Sequence, residues 1–143
     1  SFSLNMPDFY PDALEAGTLS FPAVSSLLEG VRYLSAKEKE ISGSLLFLTG
    51  YLLDALAGLP AYKVFSRPNP CGIVAFAHRE IQSEILSERL SEVYSIAVRG
   101  GLHCAPLMHE ALGTKENGLV RVSFSHFNRK EEVNALIRAL RAF

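Results

Sequence analysis

The 143-residue sequence predicts an α+β fold. The architecture expected is a small α/β sandwich, with one mostly antiparallel sheet of about four strands covered on one face by helices. Three observations carry that prediction. Apolar residues recur at helical spacing near both ends, short β-prone runs fill the middle, and breaker or capping residues separate the segments. One core suffices at this size, since chains of about 150 residues bury roughly 68–70 % of their unfolded surface.

Residues 1–20 carry Pro7, Pro11 and Gly17 and read as an extended arm; residues 21–143 read as the domain proper. Pro22 suits a first helical turn, where its missing N–H costs nothing, and Val24, Leu27, Leu28, Val31 and Leu34 follow at helical spacing. Ser35 with Glu38 has the pattern of a capping box and predicts a second helix. Ile41, Leu45, Leu48, Leu52 and Leu56 form its apolar face, and Gly58 with Pro60 ends it. Segments 62–65 and 73–77 are short and β-prone, and Arg67-Pro68-Asn69-Pro70 turns between them. Ile81, Ile85, Leu86 and Leu90 mark a third helix, and 95–98 reads as a strand running into Gly100-Gly101. A short helix over 107–112 stops at Gly113, and 119–124 is a further strand. Asn128 with Glu131 predicts the cap of a last helix, with Val133, Leu136, Ile137 and Leu140 turned inward.

Composition bounds the function. Apolar residues make up 48 % and charged residues 20 %, the balance of a soluble globular chain. A net charge of −1 gives no electrostatic case for nucleic acid or an anionic membrane surface. Continuous apolar runs such as Leu45-Leu46-Phe47-Leu48 fall far short of the ~20 residues that span a bilayer. No signal-peptide pattern is visible, and two cysteines make no disulfide framework, so a reducing, cytoplasmic setting is expected. No Walker, Rossmann or Gly-x-Ser-x-Gly pattern occurs.

The chemistry concentrates at Arg99-Gly100-Gly101-Leu102-His103-Cys104-Ala105-Pro106. Cys104 sits on a Gly-rich loop beside a histidine and near two arginines, and cationic neighbours favour the nucleophilic thiolate. Cys71, between Pro70 and Gly72, reads as an ordinary cysteine. Arg121 lies within an apolar strand and has two readings, an internal salt bridge or a bidentate clamp on a substrate carboxylate. Arg99 shares both readings and is expected in a supporting role. His103 adjoins the thiol, but neighbours on a turn rarely point the same way, so positioning of the loop is favoured over a Cys–His dyad. His78, His109 and His126 are scattered, and no metal site is expected. Gly17-Thr18 is either a plain loop or a turn where Gly17 admits a ligand and Thr18 donates to an anion such as phosphate.

Three blocks together resemble one family. Leu14-Glu15-Ala16-Gly17-Thr18-Leu19-Ser20-Phe21-Pro22 is similar to the Gly-Thr turn of class V aminotransferase-fold enzymes. Val98 to Leu107 resembles the R-x-G-x-H-C-A-x-P loop of their cysteine desulfurase and selenocysteine lyase members. Gly118-Leu119-Val120-Arg121-Val122-Ser123-Phe124, with Phe127-Asn128 and Glu131-Glu132-Val133, is similar to the family's closing motif. Ser20 and Phe21 depart from the Asn and Thr frequent there. The resemblance covers nearly the whole chain and points to the C-terminal small domain of fold type I of pyridoxal-phosphate enzymes.

What the resemblance implies is a pyridoxal 5'-phosphate enzyme that moves sulfur from L-cysteine to its own cysteine, leaving a persulfide and L-alanine. Cys104 would be the nucleophile, Arg121 the holder of the substrate carboxylate, and His103 and Arg99 supporting residues. Thr18, with Gly17, would bind the cofactor phosphate of the other subunit. Implied partners are the chain's own large domain, a second subunit in a homodimer, and a sulfur-accepting protein or thiol. None of the five lysines, Lys37, Lys39, Lys63, Lys115 and Lys130, matches the family's Schiff-base motif. With that and a start at Ser1, the expectation is an isolated small domain that neither holds the cofactor covalently nor turns over substrate. Apolar surface freed from the large domain would favour self-association. The alternatives are a class V aminotransferase or lyase with Cys104 incidental, and a stand-alone sulfur-accepting module.

Overall fold

The structure is a computed structural model and describes residues 8–14 and 17–143. The first seven residues of the expected arm, and Glu15 and Ala16 of the Gly-Thr turn, lie outside the described residues. Contacts divide the chain into two compact units, one up to Glu38 and one from Lys39 to Phe143.

In the first unit a single 3-10 turn, Asp12–Leu14, is closed by Leu14 N–H donating to the Pro11 carbonyl at 2.9 Å. Gly17, Thr18, Leu19 and Ser20 follow without regular structure, and Ser20 O accepts the Val24 N–H at 3.0 Å as helix α1 (Phe21–Ala57) begins. Here two expected helices are one, 37 residues long. Ser35 and Glu38 lie inside α1 instead of capping a new element. The physical reason is local: Ser35-Ala36-Lys37-Glu38-Lys39-Glu40 contains no Pro or Gly and is dominated by good helix formers, so nothing interrupts propagation. One 18-residue window of α1 reaches a mean hydropathy of 1.2, enough by length and composition to cross a bilayer. A count of unbroken apolar runs misses this, because small polar residues are interspersed.

The second unit holds the core. Leu45, Leu48, Leu52 and Leu56 of α1 are buried one helical turn apart. Leu48, Leu52 and Leu56 share one core with a three-stranded antiparallel sheet of order β1-β2-β3, with β1 Tyr62–Val64, β2 Ile73–His78 and β3 Val120–Ser123. Alternation decides which face is covered. Val74, Phe76 and His78 of β2 and Val120 and Val122 of β3 are buried, while Ile73 and Ser123 are exposed and Ala75, Ala77 and Arg121 only partly covered. The sheet is thus packed on one face and open on the other, as the alternation in sequence implies. Helix α2 (Ser83–Tyr94) contributes Leu86 and Leu90 to the core, and α4 (Lys130–Leu140) contributes Val133, Leu136, Ile137 and Leu140.

Two local expectations are corrected. Segment 95–98 is not a fourth strand; only Arg99 bridges to β3, at Arg121. Its backbone is spent on ending α2, where Ser95 takes a left-handed φ of 55° and Ile96 N–H donates to the Leu90 carbonyl at 3.0 Å. The cap of α4 sits one residue later than expected. Arg129 is the cap, and the Glu132 carboxylate accepts its N–H at 2.8 Å, while Asn128 Oδ1 is engaged by Ser125 N–H at 2.7 Å.

Candidate active site

Cys104 is exposed and sits in a turn closed by Ala105 N–H donating to the Leu102 carbonyl at 2.9 Å. Both central residues are left-handed, His103 at φ 53° and Cys104 at φ 58°. Positive φ at both centres is the signature of a type I′ turn, normally built from Asn or Gly. For residues with a Cβ the conformation costs of order 1–2 kcal/mol each, and such strain clusters at functional sites.

The surroundings hold the strained turn in place. Arg99 and Arg121 exchange both backbone hydrogen bonds, 3.1 Å and 2.7 Å, which pins the start of the loop to β3. Gly101 N–H donates to Ser83 Oγ at 3.0 Å, and Leu119 N–H donates to the Gly101 carbonyl at 3.1 Å. Helix α3 (Pro106–Leu112) starts at once after the turn, with proline at its first position, and ends at Gly113 as expected.

Among the candidate residues the loop brings Arg99 and Cys104 together. The Arg99 guanidinium Nη2 lies 3.7 Å from Cys104 Sγ, so an anionic sulfur would gain a charge-assisted contact there. His103 is not paired with the thiol. Its Nε2 lies 3.0 Å from the Leu119 carbonyl. A carbonyl can only accept, so Nε2 carries the hydrogen; Nδ1 is buried and unpartnered. Burial, ahead of the Arg121, Arg99 and His109 charges, pushes the His103 imidazole below its ordinary pKa, against the upward pull of the Leu119 carbonyl. The ring stands 5.8 Å from that of buried His109, whose Nδ1 lies 2.9 Å from Thr114 Oγ1.

Arg121 occupies the open face of the sheet, directly across from Ala75 on one side and Arg99 on the other. Among the described residues it has no acidic partner, and its Nε is buried without a hydrogen bond. No internal salt bridge is therefore formed with any described residue, and the guanidinium retains its capacity for an anion. Gly17 and Thr18 are exposed, and a Cβ on Gly17 would meet nothing within 4 Å. Among the described residues no three His, Cys, Asp or Glu side chains converge as metal ligands. Ser83 and Asn117, which anchor the loop, carry no signal in the sequence that marks them as site residues; the nearest trace is Gly118, directly before the strand of the closing motif.

Comparison with known proteins gives this geometry a family. The aminotransferase class-V sequence model matches residues 7–136, and the chain belongs to that family. It is 33 % identical over 134 residues to the cysteine desulfurase CsdA of Escherichia coli, covering 91 % of this chain and 32 % of that protein. It is 32 % identical over 133 residues to a probable cysteine desulfurase of Halobacterium salinarum, covering 91 % and 31 %. The crystal structure of the Escherichia coli CsdA in its S-sulfonic acid form superposes with a TM-score of 0.80 at 30 % identity, over 92 % of this chain and 32 % of that one. The chain thus spans about a third of the length of the curated relatives it matches.

The family implies pyridoxal phosphate. Of the residues that the resemblance assigns to its phosphate, this chain carries Thr18 and Gly17. Thr18 and Gly17 are exposed, Lys63 and Lys130 lie over the rings of Phe65 and Tyr51, and Lys115 points toward Glu110 at 3.9 Å.

Proposed function

We propose that this chain is the thiol-bearing small domain of a cysteine desulfurase, and that Cys104 receives the sulfur of L-cysteine. The observation that carries the reading is the exposed Cys104 sulfur on a strained, clamped turn, 3.7 Å from the Arg99 guanidinium. Net transfer balances without a further reductant or oxidant. L-cysteine gives up one sulfur atom and leaves as L-alanine, and the Cys104 thiol becomes a persulfide. Arg121, with no acidic partner among the described residues and an unsatisfied Nε, supports a role in fixing the substrate carboxylate. His103, held to the Leu119 carbonyl, orders the loop and leaves the thiol free to act as nucleophile. The Schiff-base lysine belongs outside this chain, in a large domain, while Thr18 with Gly17 reaches the cofactor phosphate of the second subunit in a cytoplasmic homodimer. A protein or small-molecule thiol then accepts the sulfur.

The test is Cys104→Ser in the longest natural form of the protein, assayed with L-cysteine. Loss of persulfide and of alanine release, with cofactor absorbance retained, is the expected result. Undiminished alanine release would remove Cys104 from the reaction, and ketoacid-dependent amino transfer in its place would make the protein an aminotransferase.

A further inference from the structure

Ser83 opens α2, 21 positions before Cys104 in the chain, and is only 3 % exposed. Its N–H donates to the Asn117 carbonyl at 3.1 Å, and its Oγ accepts the Gly101 N–H at 3.0 Å. The single hydroxyl hydrogen has two acceptors in reach, Asn117 O at 2.7 Å and Glu84 Oε2 at 3.0 Å, and the shorter contact favours Asn117. Three chain segments therefore meet on one small side chain: the head of α2, the thiol loop and the turn before β3.

Two glycines make that meeting possible. A Cβ on Gly100 would collide with the Ser83 carbonyl. A Cβ on Gly118, where φ is +59°, would lie 2.5 Å from Ser83 Oγ and 2.8 Å from Gly101 Cα. The backbone here is packed around a hydroxyl, with no room for a substituent on the facing residues.

We propose that Ser83 is a positioning residue for Cys104. Resting on the reading of Cys104 as the sulfur-accepting thiol, it names the group that sets where that thiol stands. Both peptide groups flanking the Gly101 Cα are held, the N–H of one by Ser83 Oγ and the carbonyl of the other by Leu119 N–H. The orientation of those two peptides fixes the start of the left-handed turn, and through it the approach of Cys104 Sγ to Arg99. Freed from Ser83, the loop relaxes from its strained φ values and the sulfur leaves the guanidinium.

Cys71, exposed and on a separate loop, provides an internal reference. In Ser83→Ala, under conditions where circular dichroism shows the fold intact, alkylation of Cys104 relative to Cys71 should slow by about fivefold, the worth of one net hydrogen bond. Exchange of the Gly101 amide should quicken in the same variant. A residue that merely stabilised the fold would lower the melting temperature and leave this ratio alone. Where Ser83→Ala does not fold, Ser83→Cys, which keeps the shape and weakens the acceptor, carries the same two measurements, with alkylation read at Cys104 and Cys71 separately by peptide mass. A Cys104-to-Cys71 ratio unchanged or raised overturns the proposal. The two readings fail separately: alkylation that depends on Ser83 in a protein whose Cys104 never takes up sulfur leaves the positioning intact and removes the desulfurase reading.

Discussion

Arg99 and Arg121 stand directly opposite one another, each donating its backbone N–H to the other's carbonyl. Like charges at such a cross-strand pair repel. Arg99 turns its Nη2 to Cys104 Sγ, while Arg121 keeps a buried, unsatisfied Nε and no acidic partner among the described residues. A pair of cations held together by the backbone, on the open face of a sheet, is suited to a visiting anion.

Arg121→Met separates ligand recognition from stability. Removing one of two opposed cations should leave stability unchanged or raise it by up to about 1 kcal/mol, read from urea midpoints. On the proposed desulfurase reading, the same change in the active enzyme should raise KM for L-cysteine about tenfold to a hundredfold, the worth of a charge-assisted hydrogen bond. Destabilisation beyond about 2 kcal/mol would instead mark the side chain as structural.

His103 makes the thiol loop sensitive to acid. Imidazole is charged when protonated, and burial holds the folded pKa below the ordinary value near 6.5, so the unfolded chain binds the proton more readily. The stability it contributes is present above about 6.5 and is lost as the pH falls from there through the lower folded value. Urea midpoints should therefore drop between about pH 7.5 and about pH 5.5, and His103→Gln should shrink that drop. An equal drop in the variant assigns the acid sensitivity to other groups.

Much of this was readable from residue order, because helical spacing and strand alternation are local signals. The inward faces of α4 and of the second half of α1 follow from Val133, Leu136, Leu52 and Leu56 alone. The join across Ser35 was not readable, since a capping-box pattern also occurs in helix interiors where no breaker enforces a start. Nor was the loss of strand 95–98, which depends on Ile96 donating to Leu90 instead of to β3. At the site, Cys104 and Arg121 announce themselves by residue type in an unusual setting. Ser83 does not, because a serine at a helix start is ordinary, and only the fold brings Gly101 to its hydroxyl.

The two halves of α1 should respond differently to truncation. Leu52 is fully buried, whereas Leu27 is 68 % exposed in the described structure. Leu52→Ala should cost about 2–5 kcal/mol, from lost burial and the cavity left behind. Leu27→Ala should stay within about 0.5 kcal/mol. Urea denaturation of both variants decides the matter, and an equal, large cost at Leu27 would show that its face is covered in solution.

Tyr62 ties β1 to the end of α4, and its behaviour in alkali follows from that tie. Its hydroxyl donates to the Leu140 carbonyl at 2.7 Å, and burial pushes the phenol up to about 12. The folded state therefore resists ionisation of this group, while the unfolded chain ionises near 10. The resulting stability is complete below about 10 and is lost as the pH rises from there through about 12. Tyr62→Phe removes the titrating group but leaves the Leu140 carbonyl without its donor. It should cost about 1–3 kcal/mol at neutral pH and flatten the loss of stability in alkali. Spectroscopic titration of the five tyrosines should show one phenolate that forms only as the protein unfolds, and this late phase should be absent from the variant. A late phase that persists in Tyr62→Phe would place the protected phenol at another residue and break the link between β1 and α4 as its cause.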